Sequence, residues 1–233
     1  MSFSNRMLRA LSAPAAESLR PWLEPVAFRP EQVVYRMGDP VEHVYFVERG
    51  LLVRVAMIED GRSAGVGVIG AEGVAGATSA LAHRPSYHQV TGHVQVEALR
   101  MEAARFVEAV NGSRELRTLV DAYADALVTS SELMATCFAF HPLAARLSTT
   151  LLNAHDASGE GTMMATQELL ASLFAVQRTS VTSLATSMER QGLIRTGRGV
   201  IELKDRPGLE RLACGCYARQ AQLWSDLWDG ESD

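Results

Sequence analysis

Hydrophobic and polar positions change their period twice along this chain. From Phe28 to Met101 they alternate in short runs, EQVVYRM, EHVYFVERG, LLVRVAMI, SAGVGVIG and YHQVTGHVQVEALRM, punctuated by Gly or Pro about every ten residues. A period of two marks strands with one buried face, and many short strands at this spacing predict a barrel or a sandwich. Glu59-Asp60-Gly61-Arg62 reads as a hairpin turn, and Gly38-Asp39-Pro40 and Arg49-Gly50 as further corners. Residues 4 to 25, with Leu8, Leu11, Leu19 and Trp22, predict a short helical lead-in.

From Ser113 to Phe140 there is no Pro or interior Gly, and Leu116, Val120, Tyr123, Leu127, Met134 and Phe138 recur at helical spacing, with Leu119, Val128 and Leu133 widening the stripe. A helix of roughly 27 residues is about 40 Å long, more than a small barrel covers on one side. Part of its apolar face is therefore expected to meet a twin helix in a homodimer. Pro142 ends this helix and starts the next, which carries Leu143, Leu147, Leu151 and Leu152.

The segment from Thr166 to Leu193, TQELLASLFAVQRTSVTSLATSMERQGL, predicts two short helices joined by the apolar turn Phe174-Ala175-Val176. Thr166 can cap the first, and Glu168 in its first turn suits the helix dipole. On the second, Val181, Leu184, Ala185 and Met188 form the buried stripe and turn Arg178, Thr179, Thr182, Ser183 and Thr186 outward. A recognition helix needs such a face: an arginine fork meets the two acceptors of guanine, and short hydroxyls meet base edges or phosphate. An ordinary amphipathic surface helix would show the same stripe. The run RTGRGVIEL then predicts a hairpin about Gly197-Arg198-Gly199, a wing whose Arg195 and Arg198 can grip phosphates. Arg190, Lys204 and Arg206 lie near in sequence.

The 233 residues are 47% apolar, enough for one or two domains with real cores, and the formal net charge of -5 excludes general polyanion coating. Any DNA affinity has to come from a local patch. No signal-peptide pattern and no bilayer-length apolar run occurs, so a cytoplasmic location without membrane contact is expected. No GxSxG or GxxxxGK motif is present, and no HxH with a nearby Glu, so no catalytic activity is expected.

Cys137, Cys214 and Cys216 are too few for a four-cysteine iron-sulfur cluster and odd in number for disulfides. Cys137 and His141 share a helix face and Cys214-Gly-Cys216 can ligate a soft metal or respond to oxidants. The spacing is not CxxC, and no metal and no cofactor is expected. Between Gly70 and Leu81 the run GAEGVAGATSAL can cup an anion on backbone amides, or can be a tight crossover in which Gly73 and Gly76 permit close approach.

The order of parts, with GDPVEHVYFVERG at Gly38, EDGR at Glu59, GAEGVAG at Gly70, ARLSTTLLNAHD at Ala145, TQELLASLFAVQRTSVTSL at Thr166 and QGLI at Gln191, resembles the Crp/Fnr superfamily of bacterial transcription regulators. The resemblance implies an α+β chain: an antiparallel, jelly-roll-like β-roll sensor with a short N-terminal helix (residues 1–112), a dimerisation helix (113–141) and a winged helix-turn-helix domain with a helical tail (142–233). Carried over by position, Arg178, Thr179 and Ser183 fall where family members touch base edges, and Gln177, Ser180 and Thr182 beside them at phosphates. Double-stranded DNA with an inverted-repeat operator, a second copy of the chain, RNA polymerase and a small-molecule effector are the partners it implies.

The family's cyclic-nucleotide members place a glutamate in the loop and an arginine with a small hydroxyl residue downstream. Here Val74 or Ala75 stands near the glutamate's place and the downstream region reads His83-Arg84-Pro85-Ser86-Tyr87, so cyclic AMP is not the expected effector. The resemblance places an effector pocket between β-roll and long helix, with Gly73, Val74, Ala75, Gly76, Tyr87 and His88 on one side and Ser131 opposite. A haem-responsive sensor of the same fold drawing on His83, His88 or His93, a redox-responsive one, and a dimeric protein-interaction module that binds no DNA are the alternative readings.

Overall fold

In the computed structural model, which describes residues 3–60, 62–93, 95–158, 162–164 and 166–229, the alternating front half forms two four-stranded antiparallel sheets. The strands are β1 (Glu24–Phe28), β2 (Val33–Tyr35), β3 (His43–Arg49), β4 (Leu52–Met57), β5 (Ser63–Ile69), β6 (Val74–Ala75), β7 (Gln89–Gly92) and β8 (Val96–Glu102). One sheet runs β1-β8-β3-β6 and the other β2-β7-β4-β5. The hairpin expected at Glu59–Arg62 joins β4 and β5, with Gly61 itself outside the described residues.

Period-two alternation sorts the side chains to two cores. Phe28, Val47, Ala75, Val96 and Ala98 of the first sheet meet Tyr35, Leu52, Ile69 and Val90 of the second in the interior of the roll. Val44, Phe46 and Met101 point the other way, onto a helical layer. That layer is built from α1 (Arg6–Ala10), α2 (Ala13–Leu19), α4 (Ala103–Gly112) and the long helix α5 (Arg114–Phe140); α3 (Ala77–Leu81) packs beside it.

The helix α5 begins where Ser113 accepts a hydrogen bond from the Leu116 amide, with Glu115 in its first turn, and ends at His141 before Pro142. Leu116, Val120, Tyr123 and Ala126 are buried, whereas Val128 is 57% and Phe140 80% exposed. The apolar stripe is thus wider than the β-roll covers, and Val128 lies on its uncovered flank.

Helix α6 (Leu143–Ser158) leads to α7 (Gln167–Phe174), α8 (Arg178–Arg190), the strands β9 (Thr162–Met164), β10 (Ile194–Gly197) and β11 (Val200–Leu203), α9 (Arg206–Leu212) and α10 (Cys216–Asp229). An apolar cluster joins this half to the roll: Leu51 and Val53 pack with Leu147, Leu151, Leu170, Phe174, Val181 and Met188. Ser63 on β5 and Ser172 on α7 share a hydrogen bond of 2.6 Å across the same seam. The last helix turns back along α5, where Trp224 and Trp228 lie 6.1 and 6.4 Å, ring to ring, from Tyr123. Tyr123 in turn holds the Val74 amide through its hydroxyl at 3.0 Å.

His93, 3% exposed, donates its amide to the Leu51 carbonyl, while its ring Nε2 has no partner. Burial pushes its pKa from 6.5 down to about 4. The unfolded chain therefore takes up this proton first: the contribution to stability is whole above pH 6.5 and declines as the pH falls toward 4. Between pH 7 and 5 the native protein is expected to lose about 2 kcal/mol more than a His93→Leu variant. Urea unfolding of both proteins at the two pH values measures this difference, and equal losses would refute the assignment.

Candidate DNA-reading face and effector cavity

The helix pair is fixed by its ends. Thr166 accepts from the Leu169 amide at 3.0 Å, and α7 stops at Ala175, whose φ of 51° is left-handed and whose amide, with that of Val176, returns to the last carbonyls of the helix. An alanine in that conformation costs about 1 kcal/mol, which the surrounding packing sustains. Val181, Ala185 and Met188 of α8 are buried beneath it. Gln177, Arg178, Thr179, Ser180, Ser183 and Thr186 stand exposed on the other side.

Thr182 is half-buried, and its hydroxyl lies 2.7 Å from Gln167 Oε1 and 3.0 Å from the Arg178 carbonyl, so it locks α8 to α7. Among the described residues Arg178 and Arg198 have no ion-pair partner, and both are exposed. The hairpin β10–β11, extended by β9, presents Arg195 and Arg198. It is tied to the end of α8 by Glu189, whose carboxylate accepts the Thr196 amide and hydroxyl, both at 2.8 Å. Those bonds hold the Glu189 carboxyl below its usual range.

Lys204 and Arg206 belong to a different surface. Lys204 pairs with Glu202, and Arg206 reaches Asp156 at 2.7 Å, Glu210 at 2.9 Å and the Tyr217 hydroxyl at 2.6 Å, joining α6, α9 and α10. The positive face accordingly narrows to Arg178, Arg195 and Arg198, with Arg190 exposed at the end of α8.

Between roll and long helix lies a cavity of about 220 Å³ lined by Arg54, Val74, Gly76, Thr78, Ser79, Arg84, Ser86, Tyr87, His88 and Leu127. Of the seven residues expected there, Val74, Gly76, Tyr87 and His88 line it. Gly73, Ala75 and Ser131 do not. Ala75 is wholly buried in the roll, and a Cβ on Gly73 would stand 2.6 Å from the Tyr123 hydroxyl. The Ser131 hydroxyl is spent on the Leu127 carbonyl of its own helix at 2.8 Å. Close approach thus accounts for the loop glycines, since a Cβ on Gly76 would likewise meet the Tyr35 hydroxyl at 2.5 Å. The three histidines are differently placed: His83 on the surface, His88 at the cavity, His93 in the core.

The residue that sequence reasoning passed over is Arg54. It stands in LLVRVAMI on a strand otherwise apolar at its start, and burial lowers its pKa. No carboxylate lines the cavity among the described residues, so Arg54 and Arg84 leave it positive, with only neutral hydroxyl and imidazole groups from Thr78, Ser79, Ser86, Tyr87 and His88 beside them. A second group was legible only as two fragments: Cys137, His141, Cys214 and Cys216 converge beside α5.

Two families match the chain: the cyclic nucleotide-binding domain over residues 25–113 and the Crp-like helix-turn-helix domain over residues 145–212. A search of curated proteins finds no match. Among solved structures, FixK2 from Bradyrhizobium japonicum is 16% identical, covering 83% of this chain and 98% of its own, at a TM-score of 0.69. A CRP-family transcriptional regulator from Thermus thermophilus is 21% identical over 81% of this chain and 96% of its own, with a TM-score of 0.69. The c-di-GMP responsive global regulator CLP of Xanthomonas campestris is 16% identical over 83% of this chain and 100% of its own, with a TM-score of 0.67. At such identities the likeness is one of fold. A sensor of the cyclic nucleotide-binding type, a long helix and a Crp-like helix-turn-helix domain, in that order, place the chain in the Crp/Fnr superfamily of transcription regulators.

Proposed function

We propose that the protein is a homodimeric regulator that binds an inverted-repeat operator in duplex DNA, reading bases with Arg178, Thr179 and Ser183 and gripping phosphates with Gln177, Ser180, Arg195 and Arg198. The observation that carries this reading is the exposed Arg178, without an ion-pair partner among the described residues, at the head of a short polar face whose underside is anchored in the core. Thr182 serves that face from below, as the clamp between the two helices. Val128 and Phe140, exposed on α5, support a twin helix as the dimer contact. Two reading heads then address half-sites about one helical turn apart, with RNA polymerase as the downstream partner.

The cavity holding Arg54 and Arg84 supports a small acidic effector in place of a cyclic nucleotide, because its cations have no carboxylate beside them among the described residues and no carboxylate stands there to take a ribose. No enzymatic role is proposed, and none of the described helices is long and apolar enough to cross a membrane. A cytoplasmic site of action follows from the proposed DNA target.

The test is selection of bound fragments from the protein's own genome, followed by titration of the best fragment with salt. The logarithm of affinity is expected to fall linearly with that of salt, by about 0.9 for each phosphate neutralised. Failure to bind any duplex at low ionic strength would favour the interaction-module reading.

A further inference from the structure

Three cysteines and one histidine, from parts of the chain about 75 residues apart, bring their ligand atoms within 4.8 Å of one another. The first pair comes from the end of α5: Cys137 lies in its last turn, and His141 is the extended C-cap residue whose amide donates to the Cys137 carbonyl. The second comes from the joint between α9 and α10, where Cys214 and Cys216 flank Gly215. Sγ of Cys137 lies 3.4 Å from Sγ of Cys214, and Sγ of Cys216 lies 3.7 Å from Nδ1 of His141.

This is the size of a tetrahedron. Zinc takes thiolate sulfur at about 2.3 Å and imidazole nitrogen at about 2.0–2.1 Å, which sets ligand-to-ligand edges of roughly 3.6–3.8 Å. Small side-chain shifts bring the four atoms onto those edges. Apolar packing does not account for the cluster, because an imidazole and three weakly polar thiols are a poor substitute for aliphatic side chains at one point. Three sulfurs and one nitrogen disfavour hard cations, which take oxygen ligands.

The surroundings suit a closed site. Thr149 holds Cys214 from behind, its Oγ1 3.3 Å from both the sulfur and the amide of that residue. Cys216 is the first residue of α10, at the end of the helix whose dipole suits an anionic ligand. Cys137 is buried and the other three ligands half-buried. An adjoining cavity of about 310 Å³, whose lining includes Cys137, Cys216, Thr149 and Gln220, gives an ion a way in.

We propose that Cys137, His141, Cys214 and Cys216 bind one zinc ion tetrahedrally, as three thiolates and a neutral imidazole, and thereby staple the end of the long helix to the C-terminal helix. On binding, each thiol gives up its proton to solvent and no electron is transferred. The staple spans the His141–Pro142 break between α5 and α6, the point at which the reading domain joins the long helix. The site stands or falls independently of DNA binding.

The test uses the full chain, purified under reducing conditions without chelator, supplied with zinc, desalted and analysed for metal. One zinc per chain is expected. Cobalt(II) in its place should give the intense visible bands and sulfur-to-metal charge transfer of a tetrahedral thiolate site. Cys216→Ser should weaken zinc by more than the roughly 10–100-fold that loss of a ligand's hydrogen-bond partner brings, whereas His83→Gln on the surface should leave it unchanged. Should Cys216→Ser fail to fold, His141→Gln at the half-exposed helix end carries the same expectation. Native protein that retains no zinc, that holds iron instead, that gives an octahedral cobalt spectrum, or that oxidises two thiols in air with no metal bound would overturn the proposal. So would a Cys216→Ser and a His141→Gln variant that both hold zinc as tightly as the parent.

Discussion

Gly50→Ala is expected to cost the native fold about 2–4 kcal/mol, read as a lower urea midpoint at unchanged slope. Gly50 turns the corner from β3 to β4 with a φ of +87°, and a Cβ there would collide with the Gln95 carbonyl oxygen and stand 3.0 Å from the Val96 Cα. Both neighbours are backbone, so no rotamer change relieves the collision. The chain beyond the corner, Leu51, Leu52 and Val53, feeds both the interior of the roll and the cluster shared with the reading domain. Displacing it therefore disturbs two cores together. Gly38 separates the two causes: its φ is +88°, but a Cβ there meets nothing within 4 Å. Gly38→Ala should cost only the conformational term, about 1–2 kcal/mol. Equal losses at the two positions would show that the approach of Gln95 is immaterial.

Arg178→Ala is expected to weaken the selected operator by about 1–3 kcal/mol, roughly 5- to 150-fold, and to relax preference at one base pair in each half-site. Arg198→Ala on the wing should weaken all sequences alike and lower the salt slope by about 1. The difference arises from what each side chain meets: a fork at the head of a groove-sized helix addresses base edges, and a turn residue beside it addresses the charged backbone. Competition assays against single-base operator variants distinguish them. If the two substitutions change affinity and preference in the same way, the division between reader and grip is wrong.

Local order was legible in the residues. The alternation of HVYFVER and the unbroken 3.6-residue stripe of α5 follow from one-sided burial, and the Thr166 cap and the Val181, Ala185, Met188 stripe from the same logic on shorter helices. What escaped depends on tertiary meeting points that no local period encodes. Thr182 has the chemistry of an outward hydroxyl, yet Gln167 from the neighbouring helix claims it. Lys204 and Arg206 add to a positive run in one dimension but are matched by carboxylates in three. Arg54 is a single polar residue in an apolar run, and only the enclosure of the cavity makes it conspicuous. The cysteine pairs each fall short of a ligand set alone, because their completion waits on α10 folding back over a chain segment distant in sequence.

That return of α10 has a kinetic corollary. The indoles of Trp224 and Trp228 wall in Tyr123, the residue whose hydroxyl pins the Val74 loop, so the sensor's interior is sealed by side chains made well after its own strands. A nascent chain whose α10 is still inside the ribosome has its strands and long helix in hand but lacks the lid over that tyrosine. Docking of that helix closes a loop of about 100 residues, so the final consolidation of the sensor is expected to follow the emergence of α10.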